Sequence, residues 1–244
     1  MSASDKVLLI IRPALRAGDD AEFFEARGVR AHIAPVLAYE DVAFDMPNAD
    51  QVDVLIITSA QAVNRVRGAE KLKDKPLYCV GAQSAQAAKD AGFKRVRHAN
   101  GTAKEMLALV QGQAKLGARI LYLRGEDISV DLEPPLKKAG FSCESRIVYR
   151  AAPRDIFDDK LRTLIEARAV AAVSFYSQRS ARIFAEGVKA YGLEGALGVT
   201  KALCISRPVV ECVRVLRWAD VQLAERPDGD AMRALSLKAM GAKK

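Results

Sequence analysis

Four serines stand where short apolar runs give out: Ser59 after VLIIT, Ser84 after YCVGAQ, Ser177 after VSFY and Ser206 after ALCI. A serine at the carboxyl end of a strand can cap the helix that follows, worth about 1 kcal/mol relative to alanine. The remaining first-turn amides and the positive end of the helix dipole then suit a carboxylate or phosphate. Taken singly, each serine reads as a cap. Taken together, they point to an anion-binding cleft made of hydroxyls and backbone amides.

Other chemistries find no footing. GAQSAQ at 81–86 lacks the second glycine of a dinucleotide fingerprint, and no G-x-x-x-x-G-K-[ST] is present. G-x-S-x-G is absent, which speaks against a Ser-His-Asp hydrolase of that kind. His32, in an expected strand, and His98, in an expected loop, have no company of metal ligands nearby and read as incidental. An enzyme made from this sequence would use no metal, nucleotide or covalent cofactor. It would work by positioning and charge placement.

The elements that must hold these residues alternate along the chain. VLLIIR (7–12), VDVLIIT (52–58), PLYCVG (76–81), ARILYLRG (118–125), AVAAVSFYS (169–177) and KALCIS (201–206) read as strands. Their near-continuous apolar character is that of strands covered on both faces of a parallel sheet. Stretches 29–40, 144–152 and 219–225 read as extended, with Pro35 tying the first to an edge or a crossing. Helices are expected over 19–28, behind Ser59, and over 84–93, 102–113, 131–140, 156–168, 180–192, 209–218 and 228–240. Thr102 and Glu105 have the spacing of a capping box, and Gly92 that of a helix stop. The βα alternation predicts the α/β class with a parallel sheet.

The alternation also repeats. VLLIIRP pairs with ILYLRGE, ARGVRAHIAPVLAYE with KAGFSCESRIVYRAA, and VLIITSAQAV with VSFYSQRSAR. LYCVGAQSAQAAKDAG pairs with ALCISRPVVECVRVLR, and RHANGTAKEMLALV with ERPDGDAMRALSL. The offset of roughly 110–130 residues fits one small domain per copy rather than a solenoid repeat. Any two α/β halves share some likeness, and that alternative stays open. Five segments in one order with matching end residues favour duplication.

The 244-residue chain carries a net charge of +8, which favours an anionic partner. Only 6% of residues are aromatic and no nucleic-acid motif appears, so a small polyanion fits as well as DNA or RNA. No apolar run approaches the roughly 20 residues of a membrane helix, and VLLII is too short for a signal-peptide core. A cytoplasmic protein is expected. Cys79, Cys143, Cys204 and Cys212 are too scattered for a disulfide framework and read as buried, reduced packing residues.

As a set, these segments resemble the uroporphyrinogen-III synthase family. The matching pieces are VLLIIRP, VLIITSAQAV, YCVGAQSAQAAKDAGF and NGTAKEML, then ILYLRGED, IVYRA, VSFYSQRSAR and ERPDGDAMRAL. They follow the family's order over nearly the whole chain. The resemblance implies two similar parallel-sheet α/β domains, residues 1–35 with 153–244 and residues 41–147. Extended β linkers at 36–40 and 148–152 would join them around a cleft. The implied reaction is cofactor-free cyclisation of hydroxymethylbilane, with loss of water and inversion of the last pyrrole, giving uroporphyrinogen III. The implied partner is a polycarboxylate tetrapyrrole, handled by a monomer with no nucleic acid and no membrane.

Residue by residue, Tyr149 in IVYRA matches the family's tyrosine that assists departure of the hydroxyl group. Ser59 with its neighbour Thr58, and Ser177, match the serines of the two strand-end motifs. Ser84 falls where the family has a threonine after its glycine, here Gly81. Arg12 matches the basic residue after the first strand. The chain departs from the pattern at CISRPVV, where Ser206 stands at the glycine position and Val209 near the threonine position. Ser206 is expected to supply the missing hydroxyl. The departure keeps a second reading open, a catalytically weak paralogue that binds a small anion or regulates. Nucleic-acid binding rests on charge alone.

Overall fold

The computed structural model describes residues 6–128 and 130–242. It contains two compact units, one taking the chain up to Ala38 and again from Pro153, the other Tyr39–Ala152. The chain opens with β1 (Val7–Ile10), α1 (Ala14–Glu25), β2 (Ala31–Ile33) and β3 (Leu37–Asp41). It continues through β4 (Val54–Ile57), α2 (Ala60–Arg65), β5 (Pro76–Cys79), α3 (Ala82–Asp90), β6 (Arg95–His98) and α4 (Ala103–Gln113). Next come β7 (Arg119–Gly125), α5 (Glu133–Lys138) and β8 (Ser142–Pro153). The closing part runs α6 (Asp159–Glu166), β9 (Val170–Phe175), α7 (Gln178–Ala190), β10 (Lys201–Cys204), α8 (Arg207–Val213), β11 (Asp220–Leu223) and α9 (Gly229–Met240).

One sheet has the order β11-β10-β9-β1-β2, with all four neighbouring pairs parallel. The other runs β3-β8-β7-β4-β5-β6, parallel from β8 to β6. This is the α/β class expected from the alternating runs. The central strands are largely apolar because both faces are covered. Val7 and Leu9 enter one core cluster with α7 and α8, while Leu8 and Ile10 enter another with α1 and α9. In the other unit, Leu55 and Ile57 face α2 and α3, and Val54 and Ile56 face α4 and α5. Each such side chain withdrawn from water contributes about 1.5–3 kcal/mol.

The segments paired by sequence hold matching places in the two sheets. Reading β6-β5-β4-β7-β8 beside β11-β10-β9-β1-β2 puts each segment opposite its partner. Both sheets therefore reverse their winding at one internal point, between β4 and β7 in one and between β9 and β1 in the other. Ligands of open parallel sheets bind beyond the carboxyl ends of strands at such reversals.

Several local expectations differ from the structure. Helix α1 begins at Ala14 rather than Asp19, because Pro13 pre-sets the entry and Gly18 is absorbed within the helix. His98 lies in β6, an edge strand whose RVRH sequence carries little apolar signal, rather than in a loop. Helix α8 ends at Val213, short of the expected Trp218, and the Trp218 indole N–H donates to the Val213 carbonyl at 2.8 Å. Cys79, Cys143 and Cys204 are buried, but Cys212 is only partly so because α8 leaves it near the surface. All four are free thiols.

Candidate functional site

At the β4–β7 reversal the chain leaves β4 through Thr58 and Ser59. Ser59 is extended, and its hydroxyl accepts from the Gln61 amide at 3.2 Å, capping α2. The Val80 amide donates to the Ile57 carbonyl at 3.3 Å, so the end of β5 stays level with the end of β4. A cavity of about 300 Å³ opens there, walled by Thr58, Ser59, Gly101, Tyr122, Asp127 and Tyr149 among others. Thus Tyr149 of β8 shares one cavity with Thr58 and Ser59, three of the residues the sequence singles out.

Tyr149 is held by contacts on two sides. Its ring meets Tyr39 edge to face, with centroids 5.4 Å apart and planes at 88°. On the other side lies Gly125, where a Cβ would come within 2.7–2.8 Å of the Tyr149 ring and hydroxyl. Glycine at 125 is therefore a space requirement of the tyrosine, not of the backbone. The phenol so placed can donate a proton or a hydrogen bond to a group entering the cavity.

Tyr122, absent from the sequence-derived set, is completely buried in the wall of that cavity. Burial raises the pKa of its phenol, and the nearby Thr58 hydroxyl partly opposes the rise. Thr58 nonetheless falls short of hydrogen-bond geometry, and among the described residues the Tyr122 hydroxyl has no partner. Gly81 occupies the cap position of α3 with extended backbone and open space around it. Ser84 differs from its expected place at a strand end. It is buried in the first turn of α3, because the helix already starts at Ala82.

At the β9–β1 reversal, Ser177 is extended and accepts from the Ser180 amide at 3.1 Å, capping α7, while donating to the Ser180 hydroxyl at 2.9 Å. Ser206 occupies the cap position of α8, but its side chain makes no capping bond, contrary to the expected cap. Arg12, just past β1, is not a lone surface arginine. It donates to Asp20 at 2.7 Å and lies over the Tyr176 ring at 3.9 Å. Asp20 also accepts from Arg233 Nε at 2.8 Å and from the Tyr176 hydroxyl at 3.1 Å. Burial lifts the pKa of the Tyr176 phenol, with the Asp20 charge adding and Arg12 opposing.

A larger cavity of about 690 Å³ opens at the amino-terminal edge of the second sheet, lined by Asp53, Tyr78, Arg95, Arg97 and Lys115 among others. Helix α4 ends there, and cations gather naturally at the negative end of a helix. The carboxyl edge is therefore the better seat for chemistry. Among the described residues no group of three or more His, Cys, Asp or Glu could hold a metal ion. His32 has its pKa lowered, first by burial, then by Lys160, against Asp158. No helix among them is long and apolar enough to cross a membrane.

Fold and site define a class: a two-unit, parallel-sheet α/β protein whose strand ends carry hydroxyls, phenols and guanidiniums suited to a small polyanion. A family model described as uroporphyrinogen-III synthase HemD matches residues 19–234. The chain belongs to the uroporphyrinogen-III synthase family, lyases of porphyrin biosynthesis. The crystal structure of uroporphyrinogen-III synthetase from Helicobacter pylori 26695 is 16% identical, over 96% of this chain and 99% of that one, with a TM-score of 0.62. It shares the fold. The wild-type uroporphyrinogen III synthase of the extremely thermophilic bacterium Thermus thermophilus is 22% identical over 96% and 98% of the two chains, with a TM-score of 0.44. No curated protein sequence matches this chain.

Proposed function

We propose that this protein is a uroporphyrinogen-III synthase that closes linear hydroxymethylbilane into uroporphyrinogen III, losing water and inverting the last pyrrole. The observation that carries the reading is the family match, together with Tyr149 standing beside Thr58 and Ser59 at a sheet reversal. The Tyr149 phenol assists departure of the substrate hydroxyl by donating a proton or hydrogen bond. Ser59, Ser177, Ser206, the amides after Gly81 and the Arg12 guanidinium receive substrate carboxylates, with Thr58 beside Ser59. Ser84 takes part through the first turn of α3. Each charge-assisted hydrogen bond contributes about 1.5–3 kcal/mol. The reaction is a dehydration with ring closure and involves no net oxidation, so proton donation and positioning suffice for it.

On this reading the two α/β domains are 1–35 with 153–244 and 41–147, joined through 36–40 and 148–152. The protein acts as a monomer in the cytoplasm on a small polycarboxylate, and nucleic acid plays no part. The test is incubation with enzymatically generated hydroxymethylbilane, followed by chromatographic separation of isomers I and III. Isomer III above the spontaneous background is expected. Isomer I alone overturns the reading.

A further inference from the structure

Asp20 is 1% exposed, and it is shared by two arginines whose side chains are 13% (Arg12) and 30% (Arg233) exposed. The cluster joins four parts of the chain: the end of β1, helix α1, the end of β9 and the first half of α9. Among the described residues its charges do not balance. Two guanidiniums face one carboxylate, and the remaining polar member, Tyr176, is a phenol that is neutral at neutral pH and only more so on burial. Arg12 also keeps its Nε buried with no partner. A surplus positive charge in a largely desolvated setting is costly unless an anion offsets it. The cluster also stands at the β9–β1 reversal, where an open parallel sheet takes its ligand.

We propose that Arg12 and Arg233 together form a carboxylate-binding subsite of this unit, with Asp20 as the residue that positions both. The inference rests on the proposed synthase reading and names a second cation, Arg233, which the sequence gives no reason to select. Asp20 sets the two guanidiniums on a common base, and Tyr176 supports Arg12 from below through its ring face. The Phe23 ring backs Arg233 at 4.8 Å in the same way. Arginine suits this task because its planar fork matches a carboxylate with two parallel hydrogen bonds. No bond is made or broken here. The subsite acts by holding one substrate carboxylate while chemistry proceeds elsewhere.

The test compares Arg233→Gln and Arg233→Lys with the wild type by initial rates of isomer III formation, with thermal melting measured in parallel. Arg233→Gln is expected to raise KM about tenfold with kcat within about twofold. Arg233→Lys keeps the charge but loses the fork, so its KM should rise about threefold. Salt should raise the wild-type KM more steeply than that of Arg233→Gln. Asp20→Asn, as a positioning change, should raise KM in step with Arg233→Gln at temperatures where both are folded. A folded Arg233→Gln with wild-type KM overturns the subsite and leaves the cluster as a structural tie. Should Arg233→Gln fail to fold, Arg233→Lys decides, because a structural tie alone leaves its KM unchanged. A wild type that makes no isomer III instead overturns the synthase reading itself.

Discussion

At the carboxyl edge of the Tyr39–Ala152 unit, β4 and β7 meet over hydroxyls and phenols; at the matching edge of the other unit, β9 and β1 meet over two guanidiniums and a carboxylate. The two places correspond residue by residue. With Ser59 matched to Ser177, Ile56 matches Ser174, and their ladder partners are Tyr122 and Ile10. Two residues further on, Arg124 matches Arg12. Both arginines leave Nε buried without a partner, yet they are used differently. Arg124 turns back on the carbonyls of Gly125, at 3.0 Å, and Glu126, at 3.4 Å, whereas Arg12 pairs with Asp20. One scaffold position thus bonds backbone carbonyls in one unit and joins a charged cluster in the other. On the proposed reading, the first does the chemistry and the second holds the substrate.

The contrast breaks first at Tyr149. Tyr149→Phe keeps the ring and its contact with Tyr39, so melting should be unchanged while the rate of isomer III formation falls by about 10²–10⁴-fold. Full activity in that variant would end the division of labour. Next in size is Gly125→Ala, whose Cβ would press into the Tyr149 ring. It should cost about 1–3 kcal/mol of stability and at least about tenfold in rate. Gly81→Ala has open space for its Cβ and gives up only a better cap residue, so its cost in stability should be smaller, under about 1 kcal/mol.

Ser59→Ala and Ser177→Ala make the closest comparison, since each removes an equivalent cap. Chemical denaturation should show a loss of about 1 kcal/mol for each. If they also hold carboxylates, KM rises several-fold in both; unchanged KM in both means that they only cap. Tyr122→Phe deletes a buried hydroxyl that no described residue bonds, so stability should hold or increase slightly, as melting would show. The smallest effect concerns the thiols. Burial pushes Cys79, Cys143 and Cys204 up to about 12, so at pH 8 almost none of each is thiolate. A maleimide should label the folded protein at Cys212 alone, and at all four positions after unfolding.

The sheets were legible because their central strands are near-continuous apolar runs, a pattern that needs no context. What escaped was governed by distance or by competition. RVRH in β6 hides an edge strand behind charges, as edges commonly do. Ser84 looked like a cap until Gly81 took that position, and the local sequence offers both as helix starts. Ser59, Ser177 and Tyr149 could be selected from short motifs. Arg233 could not, because its partner Asp20 lies 213 residues away and neither residue has unusual neighbours. Tyr122 reads in sequence as one more aromatic in a strand, and only its lack of a hydrogen bond sets it apart.

The first unit is assembled from two ends of the chain, and this shapes its history on the ribosome. β1 pairs with β9, and the Ser174 hydroxyl closes on the Leu9 carbonyl across 165 residues. At about 5–20 residues per second, β1 waits some 10–30 s for its neighbour. In that interval the Tyr39–Ala152 segment is made in full. VLLI meanwhile has only the three-residue β2 to pair with, so its other edge stays open, a template for wrong pairing until β9 emerges.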